Sequence, residues 1–360
     1  MKAAFIVLAA CIAPVAVANA NATNIFCVAS PDDLTDALAS LSTSAANTDA
    51  DEIRIRTGTY FAPAGGWAGS VTTHHALTIR GGYTDDGCTQ QTLDASMTVL
   101  DGNDASGVLT INTPLIPNSD IAVSGLTFQH GKGSSAFESC AGGLKIGDPN
   151  PINGGTVLIE RNIFRDNVAV SNGFSHAVGG LLAATDGEAL IVRDNLFANN
   201  RSPNEAAASL YSNNEIDVKN NTFVGNHSTD AALEKRFALD FFTDSGLMLS
   251  NNIFWSNATG AGEFDINLSG QFTHATLVNN DIEAATGTAK SETGTLQVDP
   301  LFVGEADFRL SASSSLIDAG VDNAPGGLGS VDLDGSPRID AEAVDLGAYE
   351  SSYIFVSGFE

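Results

Sequence analysis

Few residues in this chain have the types and spacing that chemistry requires. Asp240 and Asp265 are the best carboxylate pair. In a chain that repeats about every 30 residues they fall one coil and two residues apart, roughly 8 Å by strand spacing. An acid and a base working across a water in inverting glycoside hydrolysis need a gap of that order. Arg236 is close in sequence to Asp240, whereas Lys145 stands three coils from Asp240, ~14 Å by sheet spacing. Tyr211 and Phe242 offer flat apolar ring faces, and Asn267, Lys145 and His176 offer hydrogen bonds beside them. That combination suits a sugar-binding surface. No metal site is expected: Asp332-x-Asp334-Gly335 has half of a calcium loop but lacks the later bidentate Glu, so a turn held by Asx hydrogen bonds is expected there. His74, His75 and His130 lack a matching ligand set, and neither a Gly-rich phosphate loop nor a Ser/His/Asp motif is present. No cofactor is assigned; Ca²⁺ remains open without a clear ligand set.

Those side chains are positioned by an internal repeat. Five segments align without gaps, from Ile159-Glu160-Arg161-Asn162-Ile163-Phe164 to Leu277-Val278-Asn279-Asn280-Asp281-Ile282. The repeated Asn (Asn162, Asn195, Asn221, Asn252, Asn280) recurs after 33, 26, 31 and 28 residues, and a second Asn follows at Asn167, Asn200, Asn226 and Asn257. A variable period with short β-type runs and no helical periodicity predicts strands coiled into a solenoid. Each coil brings like residues into register ~4.8 Å above the last. Stacked Asn amides then hydrogen-bond along a column, and Phe128, Phe164, Phe197, Phe223 and Phe254, followed by Ile282, stack inside.

Three strands per coil are expected. The third begins near Leu144, Leu181, Leu210, Leu239 and Ile266; if these point inward, alternation turns Lys145, Leu182, Tyr211, Asp240 and Asn267 outward in one column. Gly143, Gly180, Ser209, Ala238 and Asp265 form the neighbouring outward column, and the entering loops supply His176, Glu205, Lys235 and Arg236. Glu160, Arg193 and Lys219 read as stacked charges on another outer sheet. Runs at Ile53–Ile55, Leu77–Ile79, Val99–Leu100, Val108–Ile111 and Ile121–Phe128 extend the coil toward the N-terminus, where an amphipathic helix at Pro31–Leu38 caps it.

Composition bounds the partners. The 360 residues hold 16 Lys+Arg against 43 Asp+Glu, a net charge of −27, which disfavours nucleic acid and anionic membrane. Residues 1–20 read as a signal peptide ending Ala18-Asn19-Ala20; the apolar run continues past the lipoprotein-like Leu8-Ala9-Ala10-Cys11. No later apolar stretch reaches the ~20 residues of a spanning helix. Cys27, Cys88 and Cys140 follow the signal, an odd count that implies one bridge and one free thiol. Cys27 with Cys88 is the favoured pair, since both lie in the polar N-terminal region where a cap would be stapled.

Particular motifs carry a family resemblance. Asp299–Val303 (DPLFV), Phe308–Leu310 (FRL), Leu316–Gly320 (LIDAG), Asp332–Arg338 (DLDGSPR) and Asp345–Glu350 (DLGAYE), with Gly81–Tyr83 and Val99–Gly102 upstream, are the marks. In these the chain resembles right-handed parallel β-helix proteins of the pectate-lyase-like superfamily, specifically bacterial proteins ending in a choice-of-anchor Q domain. The resemblance implies an all-β, single-stranded right-handed parallel β-helix over residues 21–350, capped at both ends. Residues 290–350 would be closing coils and C-terminal cap, and residues 351–360 a tail. It further implies a secreted or surface location in a bacterium and a substrate lying along the exposed face of one parallel sheet. The expected function is recognition of extracellular polysaccharide or cell-surface glycan by a monomer. Polysaccharide cleavage, by a lyase with Arg236 as the base the resemblance implies or by an inverting glycoside hydrolase, and a purely structural surface role or adhesin are the alternatives.

Overall fold

Asn-rich corners set the architecture. The computed structural model describes residues 23–41, 50–72, 76–113, 119–135, 139–147, 154–171, 176–203, 205–230, 236–258, 260–268, 274–340 and 342–352. The expected leader 1–20, His74, His75, Lys235 and the tail from 353 onward lie outside these residues. In each repeated segment the residue before the first-column Asn has a left-handed backbone: Arg161, Asp194, Asn220, Asn251 and Asn279 have φ between 48° and 57°. Asn and Asp tolerate that region better than other non-glycine residues, which explains the recurring Asn doublets. The Asn that follows is buried and bridges coils. Asn195 Nδ2 donates to Asn221 Oδ1 (3.0 Å), Asn221 Nδ2 to Asn252 Oδ1 (3.0 Å) and Asn252 Nδ2 to Asn280 Oδ1 (3.0 Å). A second ladder runs Asn167, Asn200, Asn226, Asn257 at the next corner.

Between corners the chain forms long parallel sheets, and the protein is a parallel β-helix. The first sheet has ten strands, from Thr23–Val28 to Ser291–Thr293, and the second has eight, from Gly58–Phe61 to Asp281–Ile282. The third runs from Trp67–Ser70 to Ala285–Gly287. A fourth, short sheet (Lys132–Ser135, Val168–Ser171, Arg201–Ser202 and His227–Ser228) lies between the second and third. Three strands per coil therefore undercounts the middle coils: a two- to four-residue strand after the second ladder is too short to show alternation. Inside, the Phe column stacks face to face, with centroids 5.1, 4.8, 4.6 and 4.4 Å apart from Phe128 to Phe254. Buried Leu, Ile and Val from the first and third sheets pack around it.

The helix spans Pro31–Leu41 and buries Leu34, Ala37, Leu38 and Leu41 over the first coils. Pro31 opens it, Asp33 N donates to Ser30 Oγ, and Trp67 Nε1 donates to Pro31 O. Cys27 and Cys88 form a disulfide with Cα atoms 5.6 Å apart; Cys140 is buried and outside that bridge.

From Asp299 the chain leaves the coil path and folds back along the outside of the second sheet. Phe302–Gly304 and Asp307–Leu310 pair antiparallel, and Leu333, Ala348 and Tyr349 pack on Ile163, Leu196, Ala198 and Val224. Ala348 N donates to Thr222 Oγ1, and Asn220 Nδ2 donates to Asp345 O. Asp332 Oδ1 accepts from Asp334 N and Ser336 N, which forms the expected Asx-type turn. This strap also corrects the reading of Lys219 as an exposed stacked charge. Arg193 does pair with Glu160 (2.7 Å), but Lys219 is 1% exposed, paired with Asp217 and donating to Pro325 O and Gly327 O.

Candidate functional site on the third sheet

The third sheet's outer wall is built on a different register from the one expected. Leu144 pairs with Leu181, but Leu181 pairs with Ala208, not Leu210, and Ala208 pairs with Leu239. A two-residue slip keeps every side chain on its face, so alternation alone leaves it undetected. Both Ala208 and Leu210 point inward, and the larger residue had marked the wrong row. The outward row is therefore Lys145, Leu182, Ser209, Asp240 and Asn267. Tyr211 stands one row on, directly opposite Phe242.

That displacement improves the aromatic surface. The rings of Tyr211 and Phe242 lie 6.4 Å apart at 28°, and Phe242 is 44% exposed. The His176 ring meets Tyr211 edge-on, with Nδ1 3.1 Å from the phenol oxygen. One row away Asn267 Nδ2 donates to Asp240 Oδ1 at 3.2 Å. Tyr211, Phe242, His176, Asp240 and Asn267 are thus brought together.

Three candidates are not on this surface as expected. Asp265 is fully buried: its oxygens accept from Asn257 Nδ2 (2.9 Å) and Ala284 N (2.6 Å), so it terminates the second Asn ladder. An aspartate can accept there just as an Asn oxygen does, and it makes no outward-facing pair with Asp240. Arg236 is also buried, donating to Asp230 O and Ala261 O, which ties down two loop carbonyls. Lys145 is 7% exposed and donates to Ser139 O. Its end of the wall is roofed, since Ala141 and Val178 bury Leu182 beneath them.

Glu205 is the addition. It opens the strand Glu205–Ser212 next to a bulge, is 5% exposed, and its Oε2 has no hydrogen-bond partner. Burial, and then the negative charge of Asp240, push its carboxyl up to about 8. Burial also raises Asp240, against the Asn267 hydrogen bond and the nearby His176. Glu205 is therefore largely neutral at pH 7 beside a second carboxyl group. The available sequence signal is an acid heading the apolar run Glu205-Ala206-Ala207-Ala208, where strand pairing buries its side chain. Among the described residues no group of three His, Cys, Asp or Glu could hold a metal ion. No helix among them is long and apolar enough to cross a membrane.

No family model matches the chain, and no curated protein matches it significantly.

Proposed function

We propose that this is an exported, monomeric recognition protein for extracellular polysaccharide, related to pectate-lyase-like β-helices with a choice-of-anchor Q ending, and that the sugar chain lies along the outer wall of the third sheet. The pairing of Tyr211 with Phe242 carries this reading: two neighbouring ring faces, one of them 44% exposed, flank the Asp240–Asn267 hydrogen bond. Apolar sugar faces pack on such rings while hydroxyls bond to the adjacent carboxyl and amide. The location outside the cell rests on the leader-like residues 1–20 and is supported by the Cys27–Cys88 bridge, which persists in oxidising compartments.

The test is a polysaccharide panel scored for retention and for new chain ends, including absorbance from unsaturated uronates. Retention without product, lost by roughly tenfold or more in Tyr211→Ala, is expected for an aromatic anchor. Failure to retain any glycan removes the proposal and leaves a structural surface protein. A second reading, turnover, is favoured by Glu205, because a carboxylic acid neutral at pH 7 beside Asp240 is the arrangement acid–base cleavage uses. New chain ends that vanish in both Glu205→Gln and Asp240→Asn would establish it.

A further inference from the structure

The geometry points to a glycan whose sugars carry free amines, with an ammonium group seated at Glu205 and Asp240 and the sugar face on Tyr211 and Phe242. This rests on the reading of the wall as a glycan-binding face and names the class of glycan.

Glu205 Oε2 is buried and unpartnered. Leaving such an acceptor unsatisfied costs about 1–3 kcal/mol, so a ligand that brings a donor to it recovers that cost. Asp240, partnered by Asn267, supplies a second carboxyl group near enough to influence Glu205. Neither basic side chain of the wall donates to Glu205 Oε2: Lys145 donates to Ser139 O and Arg236 to Asp230 O and Ala261 O. A donor for that oxygen can come from the ligand, and a charged donor lets Glu205 ionise. An ammonium provides three donors and a full charge, and the ring faces of Tyr211 and Phe242 attract it further. A hydroxyl donates but brings no charge to stabilise an ionised Glu205 beside Asp240, and a uronate is repelled. An N-acetylated amine has one donor and no charge. Once an ammonium is seated, Glu205 ionises and has no proton to give, so retention without cleavage is expected for this ligand.

The experiment is calorimetric titration of the full chain with the hexamer of β-1,4-linked glucosamine, its fully N-acetylated counterpart, a neutral glucose hexamer and a galacturonate hexamer. Diffuse attraction to a chain of charge −27 is suppressed by working near 0.5 M salt, where the screening length falls to roughly 4 Å. The expected result is affinity for the amine hexamer about tenfold or more above the other three, a margin charge-assisted bonding readily supplies. Glu205→Gln, and separately Asp240→Asn, should shrink that preference to less than about threefold while neutral-hexamer affinity persists. Glu292→Gln, removing an exposed acid on the first sheet, should leave it unchanged. Equal or tighter binding of the N-acetylated or neutral hexamer overturns the inference and leaves the glycan reading intact. A preference insensitive to both Glu205→Gln and Asp240→Asn overturns it equally. Binding of none of the four, while the broader panel retains some polymer, also overturns the inference alone; failure of the whole panel removes the reading beneath it.

Discussion

At the scale of single residues, the buried Asn does most to hold one coil to the next. Asn221 shows why Asp or Ser would not serve. Its Nδ2 donates to Val192 O, Lys219 O and Asn252 Oδ1, while its Oδ1 accepts from both the backbone N and the Nδ2 of Asn195. Only a side chain with two N–H donors, one of them shared between two acceptors, and a two-lone-pair acceptor meets all of these from one position. Asn221→Ala should therefore cost roughly 2–4 kcal/mol, read as a lower midpoint in urea unfolding, because it strands groups in neighbouring coils. Asn221→Asp should be destabilising too, since it keeps the acceptor and loses the donors. An effect below about 0.5 kcal/mol for Asn221→Ala would mean that water replaces these bonds, contrary to the burial of the column. This column was legible in the sequence because one residue type recurs at one place in every coil. Glu205 was not assigned its role, because nothing in its local sequence says which coil stacks above it or that Asp240 arrives beside it.

At the scale of elements, the coils and the strap differ in what makes them readable. Strands with a full alternating pattern, such as Ala50–Arg56, announce both their existence and their facing. Their register is a separate matter: Glu205–Ser212 carries Ala208 and Leu210 inward, and only the partner strand decides which one meets Leu181. The strap formed from residue 299 onward is less legible still, because its partners lie 40 to 144 residues upstream. Arg338 is its main attachment. It is 2% exposed, pairs with Asp194 (3.2 Å) and Glu350 (3.0 Å), and donates to Gly347 O and Tyr349 O. Arg338→Ala leaves two buried carboxyl groups without their cation, a change that costs about 3–5 kcal/mol in comparable settings. Because the coils keep their ladders and Phe stack, the damage should concentrate in the strap. Limited proteolysis of Arg338→Ala should cut first within residues 299–352 and leave the coils intact. Cleavage spread evenly along the chain would show that strap and coils unfold as one unit.

At the scale of the whole molecule, a chain of charge −27 hides several acids in its interior without cations to match them, and this makes its stability depend on pH in a definite direction. Burial lifts Glu205 from 4.5 to about 8 and Asp265 and Asp281 from 3.8 to about 6. All three bind protons more tightly folded than unfolded, so across this window the native state holds more protons than the unfolded chain. Stability must then fall as pH rises: it is complete below about pH 4, where both states are protonated, and is lost progressively up to about pH 8. Asp85, held down to about 2, titrates below that window and does not offset the trend. Self-repulsion of the ionised surface acts in the same direction, so a fall in melting temperature between pH 5 and 8.5 (at constant ionic strength) is expected but does not by itself identify the cause. Glu205→Gln separates the two. It removes one surface-independent titration, worth on the order of 3–5 kcal/mol by linkage, and should flatten the upper part of the curve between roughly pH 6 and 8. The slope near pH 5, where Asp265 and Asp281 begin to ionise, should persist in that variant. If Glu205→Gln follows the unmodified protein at every pH, the carboxyl of Glu205 is solvated, contrary to its burial beside Asp240.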